Sequence, residues 1–309
     1  MVTGYLDSAA RNLGMTEQLE HDERYRVCEE YIEVAYKLWN SSWREDAVVL
    51  DSASRTFTDP ARIREINHEG KYFTVPGPHI CAPSPQRTPV ILQAGTSKSG
   101  MSFAARHAEA VFIGGHSPAA SADSVKQIRA LAKEYGRDPQ SIKFLAKIAP
   151  IIGRTEEEAQ AKYREYMSYG SYDGALALFG GWTGCDMSKY GDDEELRLVE
   201  SNAIRSYVEG LMKHGPKVGK WTKRTLAEHI MVGGLGATPV GTVVQVADVF
   251  EQWMTEADVD GFNIVSTSLR TNSSTSTNWL SGIRDPAKVV RRRCRTADTR
   301  VAKARAVLG

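Results

Sequence analysis

Pro89-Val90-Ile91-Leu92-Gln93-Ala94-Gly95-Thr96-Ser97-Lys98-Ser99-Gly100 is the stretch whose reading decides the fold. Val90–Leu92 is an apolar run of strand length, Gly95-Thr96-Ser97 is a turn, and Met101-Ser102-Phe103-Ala104-Ala105-Arg106-His107 continues as a helix. Together they make one strand–loop–helix unit. Gly95 allows the backbone to approach a ligand closely. The hydroxyls of Thr96 and Ser97 and the first N–H groups of the helix can hydrogen-bond a phosphate, whose charge the helix dipole also favours. The same residues also suit an ordinary βα loop with Ser97 or Ser99 as the N-cap, so the surrounding chain has to decide between the two.

Downstream the rhythm repeats. A strand is expected at Ala110–Ile113, a helix at Ala119–Tyr135, a strand at Ile142–Ile152 and a helix at Thr155–Met167, opened by Thr155-Glu156-Glu157-Glu158 as a capping box. After a long excursion the pattern returns with a helix over Val243–Ala257 and a strand over Asp260–Ser266. Alternating βα units of this length mean a parallel sheet. Upstream, Cys28, Tyr31, Ile32, Ala35, Leu38 and Trp39 recur at helical spacing, with Asp22 as the expected N-cap and His21 and Tyr25 four apart at the helix start. Met1-Val2-Thr3 reads as the end of a strand and Tyr5–Arg11 as a loop.

Two excursions interrupt the pattern, at about 40–88 and 169–223. The first contains a hairpin over Ile66–Val75, turning near Glu69-Gly70, and the prolines Pro76, Pro78, Pro83 and Pro85. The second carries Gly174, Gly180, Gly181, Gly184, Phe179 and Trp182 and an expected helix over Glu194–Lys213. Long insertions of this kind are usually substrate loops or lids.

Composition narrows the class. The 309 residues have ordinary apolar and charged fractions, enough for one barrel-sized domain. No bilayer-length apolar run or signal-peptide layout is evident, so a cytoplasmic protein without membrane contact is expected. Cys28, Cys81, Cys185 and Cys294 form no CxxC pair, and no metal site is expected. The net charge of +1 conceals a segment from Arg284 to Gly309 carrying +7, which leaves −6 for the rest. That distribution argues against nucleic acid as a partner, and Arg291–Arg295 has no aromatic residues to stack bases. Residues 1–267 are therefore read as the folded unit and 268–309 as a Ser/Thr-rich linker with a basic tail.

Several segments, in order, resemble the bacterial-luciferase-like flavin monooxygenases, in the branch of the nitrilotriacetate and dibenzothiophene-sulfone monooxygenases. They are Tyr5-Leu6-Asp7-Ser8-Ala9-Ala10-Arg11-Asn12, His21-Asp22-Glu23-Arg24-Tyr25, Tyr36-Lys37-Leu38-Trp39, His68-Glu69-Gly70-Lys71-Tyr72-Phe73, Gln93–Ser97, Gly153-Arg154-Thr155, Gly241-Thr242 and Asp260–Asn263. The resemblance runs from residue 2 to about 267. It implies an α/β fold, a (β/α)8 TIM barrel with two insertions, here missing its N-terminal βα units. It also implies a two-component enzyme. Reduced FMN would come from a separate NAD(P)H:flavin reductase, and one oxygen atom of O2 would pass to a small, often sulfur- or nitrogen-containing organic substrate.

Carried over by motif, His21 and Tyr25 contact the FMN phosphate and ribityl region, Gly95, Thr96 and Ser97 hold the phosphate, and Thr3 lies on a strand end near the flavin. No proton-transferring residue is assigned. The resemblance also implies homo-oligomers. Gly4 stands where the family prefers serine, and the family has βα units upstream of Met1, so the chain is read as the C-terminal part of such an enzyme, with weak or no turnover by itself. The alternatives are a non-catalytic remnant acting through protein association and a related flavin or deazaflavin oxidoreductase.

Overall fold

A computed structural model describes residues 1–196 and 220–265. The expected helix at Glu194–Lys213 falls almost wholly outside the described residues, as does the segment 268–309.

The chain opens with α1 (Asp7–Asn12) and α2 (His21–Ser41), then forms a short hairpin of β1 (Val48–Asp51) and β2 (Thr56–Thr58) and a second one of β3 (His68–Glu69) and β4 (Thr74–Val75). The βα units follow as β5 (Leu92–Ala94), α3 (Lys98–His107), β6 (Ala110–Ile113), α4 (Pro118–Glu134), β7 (Lys143–Ile148), β8 (Ile151–Gly153) and α5 (Glu156–Ser168). Then come α6 (Tyr172–Thr183), α7 (Lys223–Met231), β9 (Val240–Thr242), α8 (Val243–Glu256) and β10 (Gly261–Ile264).

The fold is α/β with a parallel sheet, as the alternation requires. The central sheet has the order β10-β7-β6-β5, all parallel, and β8 pairs in parallel with β9. Met1 pairs with the outer edge of β5. The Met1 amine donates to Leu92 O and Ala94 N donates to Met1 O at 3.4 Å, the slanted bonding of a parallel ladder around Gln93. Among the described residues the sheet is open, with β5 and Met1 at one edge and β10 at the other.

The core lies on the helix side of this sheet. Val111, Ile113, Phe144, Ala146 and Ile148 pack against Ala104 and Ala105 of α3, Val125 and Ile128 of α4 and Trp253 of α8. Phe144 is fully buried and Trp253 is 1% exposed. Each such side chain contributes about 1.5–3 kcal/mol by burial. On the other side of the sheet Phe112, Leu145 and Lys147 are half-buried and Asn263 is exposed. Pleat and register place these four on one face, because Phe112 pairs with Leu145 and Asn263 with Lys147.

Several local expectations are corrected. The strand before the turn is Leu92–Ala94, two residues later than the apolar run Val90–Leu92, because its hydrogen-bond partners on β6 and at Met1 sit there. The run Ile142–Ile152 divides at Pro150 into β7 and β8, since proline cannot donate to a ladder. Tyr5–Arg11 is largely the helix α1, with an Asp7–Arg11 ion pair one turn apart. The cap of α2 is Glu20, whose carboxylate accepts from Asp22 N and Glu23 N, rather than Asp22.

At α5, Thr155 accepts from Glu158 N as expected. Glu158 however returns its bond to Arg154 N and not to Thr155, so the box is half formed. The turn of the β3–β4 hairpin spans Gly70–Phe73, closed by Gly70 N to Phe73 O at 2.9 Å.

Candidate functional site

Long α2 brings its first turn over the C-terminal end of β5. The buried face of α2 carries His21, Arg24, Tyr25, Cys28, Ile32 and Ala35, and it packs through Tyr25 and Cys28 on Phe103 of α3 and on Ile91. A polar clamp fixes α2 from its other side. Glu30 accepts from Tyr72 N and from Phe73 N at 2.7 Å, and from His68 Nε2 at 3.2 Å, while Lys37 Nζ lies 3.0 Å from His68 Nδ1. The His-Glu-Gly-Lys-Tyr-Phe run thus ties the hairpin to α2 and sets how far Tyr25 reaches.

Ser97 is the N-cap of α3, accepting from Gly100 N at 3.2 Å. Above it the Tyr25 hydroxyl occupies a cradle made by two glycines. A Cβ on Gly95 would stand 2.7 Å from Tyr25 Oη, and one on Gly100 would stand 2.6 Å from it and 2.9 Å from Gly95 O. Gly95 also has φ +137, a conformation that side chains disfavour. Burial pushes the Tyr25 phenol above its ordinary pKa, and hydrogen bonds with the Ser97 and Thr3 side chains pull the other way.

His21 is 7% exposed, its ring centroid 5.3 Å from that of Tyr25. Its Nδ1 lies 2.8 Å from Asp22 Oδ1, which also accepts from Ser99 Oγ at 2.6 Å. Asp22 therefore orients the imidazole and links α2 to the start of α3. Next to the cradle, Gln93 Oε1 is buried with no hydrogen-bond partner among the described residues, while its Nε2 donates to Gly95 O at 3.2 Å. A crevice between Met1–Thr3, Tyr25, Cys28, Gln93, Ala94 and Phe103 opens here.

The structure thus brings Thr3, His21, Tyr25, Gly95 and Ser97 to one place, with Thr96 half-buried between the last two. The sequence reading missed Gly100, Gln93 and the Asp22–Ser99 link. Gly100 had a signal: a glycine in the first turn of a helix, where it is a poor helix former, marks a close approach. Hydroxyls, an imidazole and the amides of a helix start are a donor set suited to an anion, and they meet at the C-terminal edge of a parallel sheet; the Gln93 oxygen, itself an acceptor, adds nothing to that set. Among the described residues no group of three His, Cys, Asp or Glu side chains can hold a metal ion, and no helix is long and apolar enough to cross a membrane.

An open parallel α/β sheet with its polar corner at the strand ends defines the class. The profile of the luciferase-like monooxygenase family matches residues 1–261, and the chain belongs to that family. It is 48% identical over 264 residues to the dimethyl-sulfide monooxygenase of Hyphomicrobium sulfonivorans, an alignment covering 85% of this chain and 55% of that protein. The crystal structure of DmoA from the same organism superposes with a TM-score of 0.78 at 44% identity, over 96% of this chain and 61% of that one. Riboflavin lyase (RcaE), solved with modified FMN and riboflavin, superposes with a TM-score of 0.78 at 30% identity, over 94% and 62%. The chain thus spans little more than half the length of its curated relative.

Proposed function

We propose that the corner at the end of β5 holds the phosphate of FMN and that the chain serves a two-component, reduced-flavin-using monooxygenase. The observation that carries this reading is the Tyr25 hydroxyl set in the Gly95–Gly100 cradle beside Ser97 and Thr3. Three hydroxyls and the first amides of α3 supply donors for the phosphate oxygens, and the α3 dipole adds to their pull. The His21 ring, oriented through Nδ1 by Asp22, offers Nε2 as a further contact. Because Asp22 is engaged by Ser99 and His21, its charge is partly satisfied before an anion arrives. The absence of a Cβ at Gly95 and Gly100 keeps the Tyr25 hydroxyl in reach of that anion.

Reduced FMN, once bound, supplies the electrons with which O2 is split, one atom entering the organic substrate and the other leaving as water. This chain's residues hold and orient the cofactor. Kinship with a dimethyl-sulfide monooxygenase supports a small sulfur-containing substrate, within the sulfur- or nitrogen-containing class that the family resemblance implies. On the same reading the protein works in the cytoplasm as a homo-oligomer, receives reduced FMN from a separate NAD(P)H:flavin reductase, and uses residues 1–267 as its folded unit.

The test is a pair of titrations followed by flavin fluorescence. FMN is expected to bind at least about tenfold more tightly than riboflavin, the value of a hydrogen-bonded charged group. Tyr25→Phe is expected to lose roughly tenfold for FMN and nothing for riboflavin. Equal affinities for the two flavins would defeat the assignment.

A further inference from the structure

Two strands from the phosphate corner, across about 10 Å of sheet, the chain presents a second chemical feature that the flavin reading leaves unused. Lys147 is the penultimate residue of β7 and stands on the face opposite the helical core, at the same end of the sheet as Gly95 and Ser97. It is half-buried, and among the described residues its ammonium makes no hydrogen bond or ion pair. A desolvated cation without a counter-ion is costly, and burial lowers the Lys147 pKa for that reason.

The surroundings are shaped to admit this side chain. The turn between α7 and β9 runs Gly233-Gly234-Leu235-Gly236. A Cβ on Gly234 would lie 3.4 Å from Lys147 Nζ and 3.7 Å from Trp182 Cη2, and one on Gly236 would press on Lys147 Cγ at 3.0 Å and on its carbonyl oxygen at 2.9 Å. Gly234 also has φ +62, a left-handed conformation. The ammonium and the indole of Trp182 therefore flank one point beside the glycine turn. Along the same face, toward the strand starts, Leu145 and Phe112 form an apolar floor.

We propose that Lys147 is a specificity-determining residue: it pairs with a carboxylate or similar anionic group of the organic substrate, whose apolar part rests on Trp182, Leu145 and Phe112. This rests on the monooxygenase reading for the word substrate, but the binding it describes can be measured without turnover. A partly desolvated cation with no acidic partner among the described residues gains more from a carboxylate than from the water it displaces, which favours anionic over neutral molecules of equal size.

The test uses the whole protein with methylthioacetate and, as its neutral counterpart, ethyl methyl sulfide, followed by tryptophan fluorescence and calorimetry. Wild-type protein is expected to bind the carboxylate at least about tenfold more tightly than the neutral thioether. Lys147→Met is expected to erase that preference, while Lys147→Arg keeps most of it. FMN binding is measured alongside.

No preference for the carboxylate in wild-type protein overturns the proposal, and this arm needs no variant to fold. A preference unchanged in Lys147→Met, or a Lys147→Met protein that weakens FMN and not the carboxylate, overturns it too, the latter naming the flavin as the true occupant. Failure of FMN to bind while the carboxylate preference persists would sink the flavin reading and leave the Lys147 assignment standing.

Discussion

The end of β5 and the end of β7 use the same device to opposite ends. At each, glycines leave space for one polar atom: Gly95 and Gly100 for Tyr25 Oη, Gly234 and Gly236 for the Lys147 side chain. At β5 the atom arrives from another element, α2, and is hydrogen-bonded by Ser97 and Thr3. At β7 it arrives from the strand itself and has no acceptor among the described residues. The difference separates a corner that is already organised from a charge that waits for its partner. On the two proposals above, the first takes a ligand common to every turnover and the second one that decides between substrates.

The sharpest way to break the β5 corner is Gly100→Ala. Its methyl would meet Tyr25 Oη at 2.6 Å and Gly95 O at 2.9 Å, and one of these is backbone. Overpacking of this kind costs about 1–3 kcal/mol, so denaturant unfolding should register it, and FMN affinity should fall with it because the phenol is displaced. Gly234→Ala is the matching change at β7. Its methyl finds ordinary contact distances, so the cost is that of a left-handed alanine, about 1 kcal/mol. It should leave FMN binding intact, and a loss of FMN affinity as large as that of Gly100→Ala would erase the distinction between the two ends.

A smaller effect separates the thiols. Burial, with Glu29 nearby adding to it, pushes Cys28 behind the corner up to about 11 from its ordinary 9.0. Because the folded protein holds this proton more tightly than the unfolded chain, stability is complete below pH 9 and declines as the pH rises toward 11. Melting temperatures in that window should fall less in Cys28→Ala than in wild type. At pH 8 a thiol reagent should modify exposed Cys81 and spare Cys28. Fast labelling of Cys28 would mean that α2 does not seal the corner.

Local chemistry made a good part of this legible. Ser97 as N-cap, the helix after it and the helices over 118–134 and 243–256 follow from capping and periodicity, signals that neighbouring residues carry by themselves. Glu20 won the cap of α2 over Asp22 because its longer side chain folds back onto two amides, while Asp22 was drawn to His21 and Ser99. That choice depends on a residue 77 positions away, which no local window contains. The β1–β2 hairpin and α6 escaped for a related reason. β1 and β2 are short and largely exposed, and the glycines of α6 read as loop, though its buried Leu176 and Phe179 pack on Leu226 and Ile230 of α7.

The amino-acid sequence alone determined the parallel α/β rhythm, the hydroxyl-rich turn after β5 and the family, since strand length, capping and motif order are properties of contiguous residues. Only the tertiary structure decided that Tyr25 enters between Gly95 and Gly100, that Gln93 keeps a buried oxygen without a partner among the described residues, and that Lys147 faces a glycine turn some ninety residues on. Those facts depend on the angle at which α2 is clamped and on the pleat of β7, and both are set by packing between segments far apart in the chain.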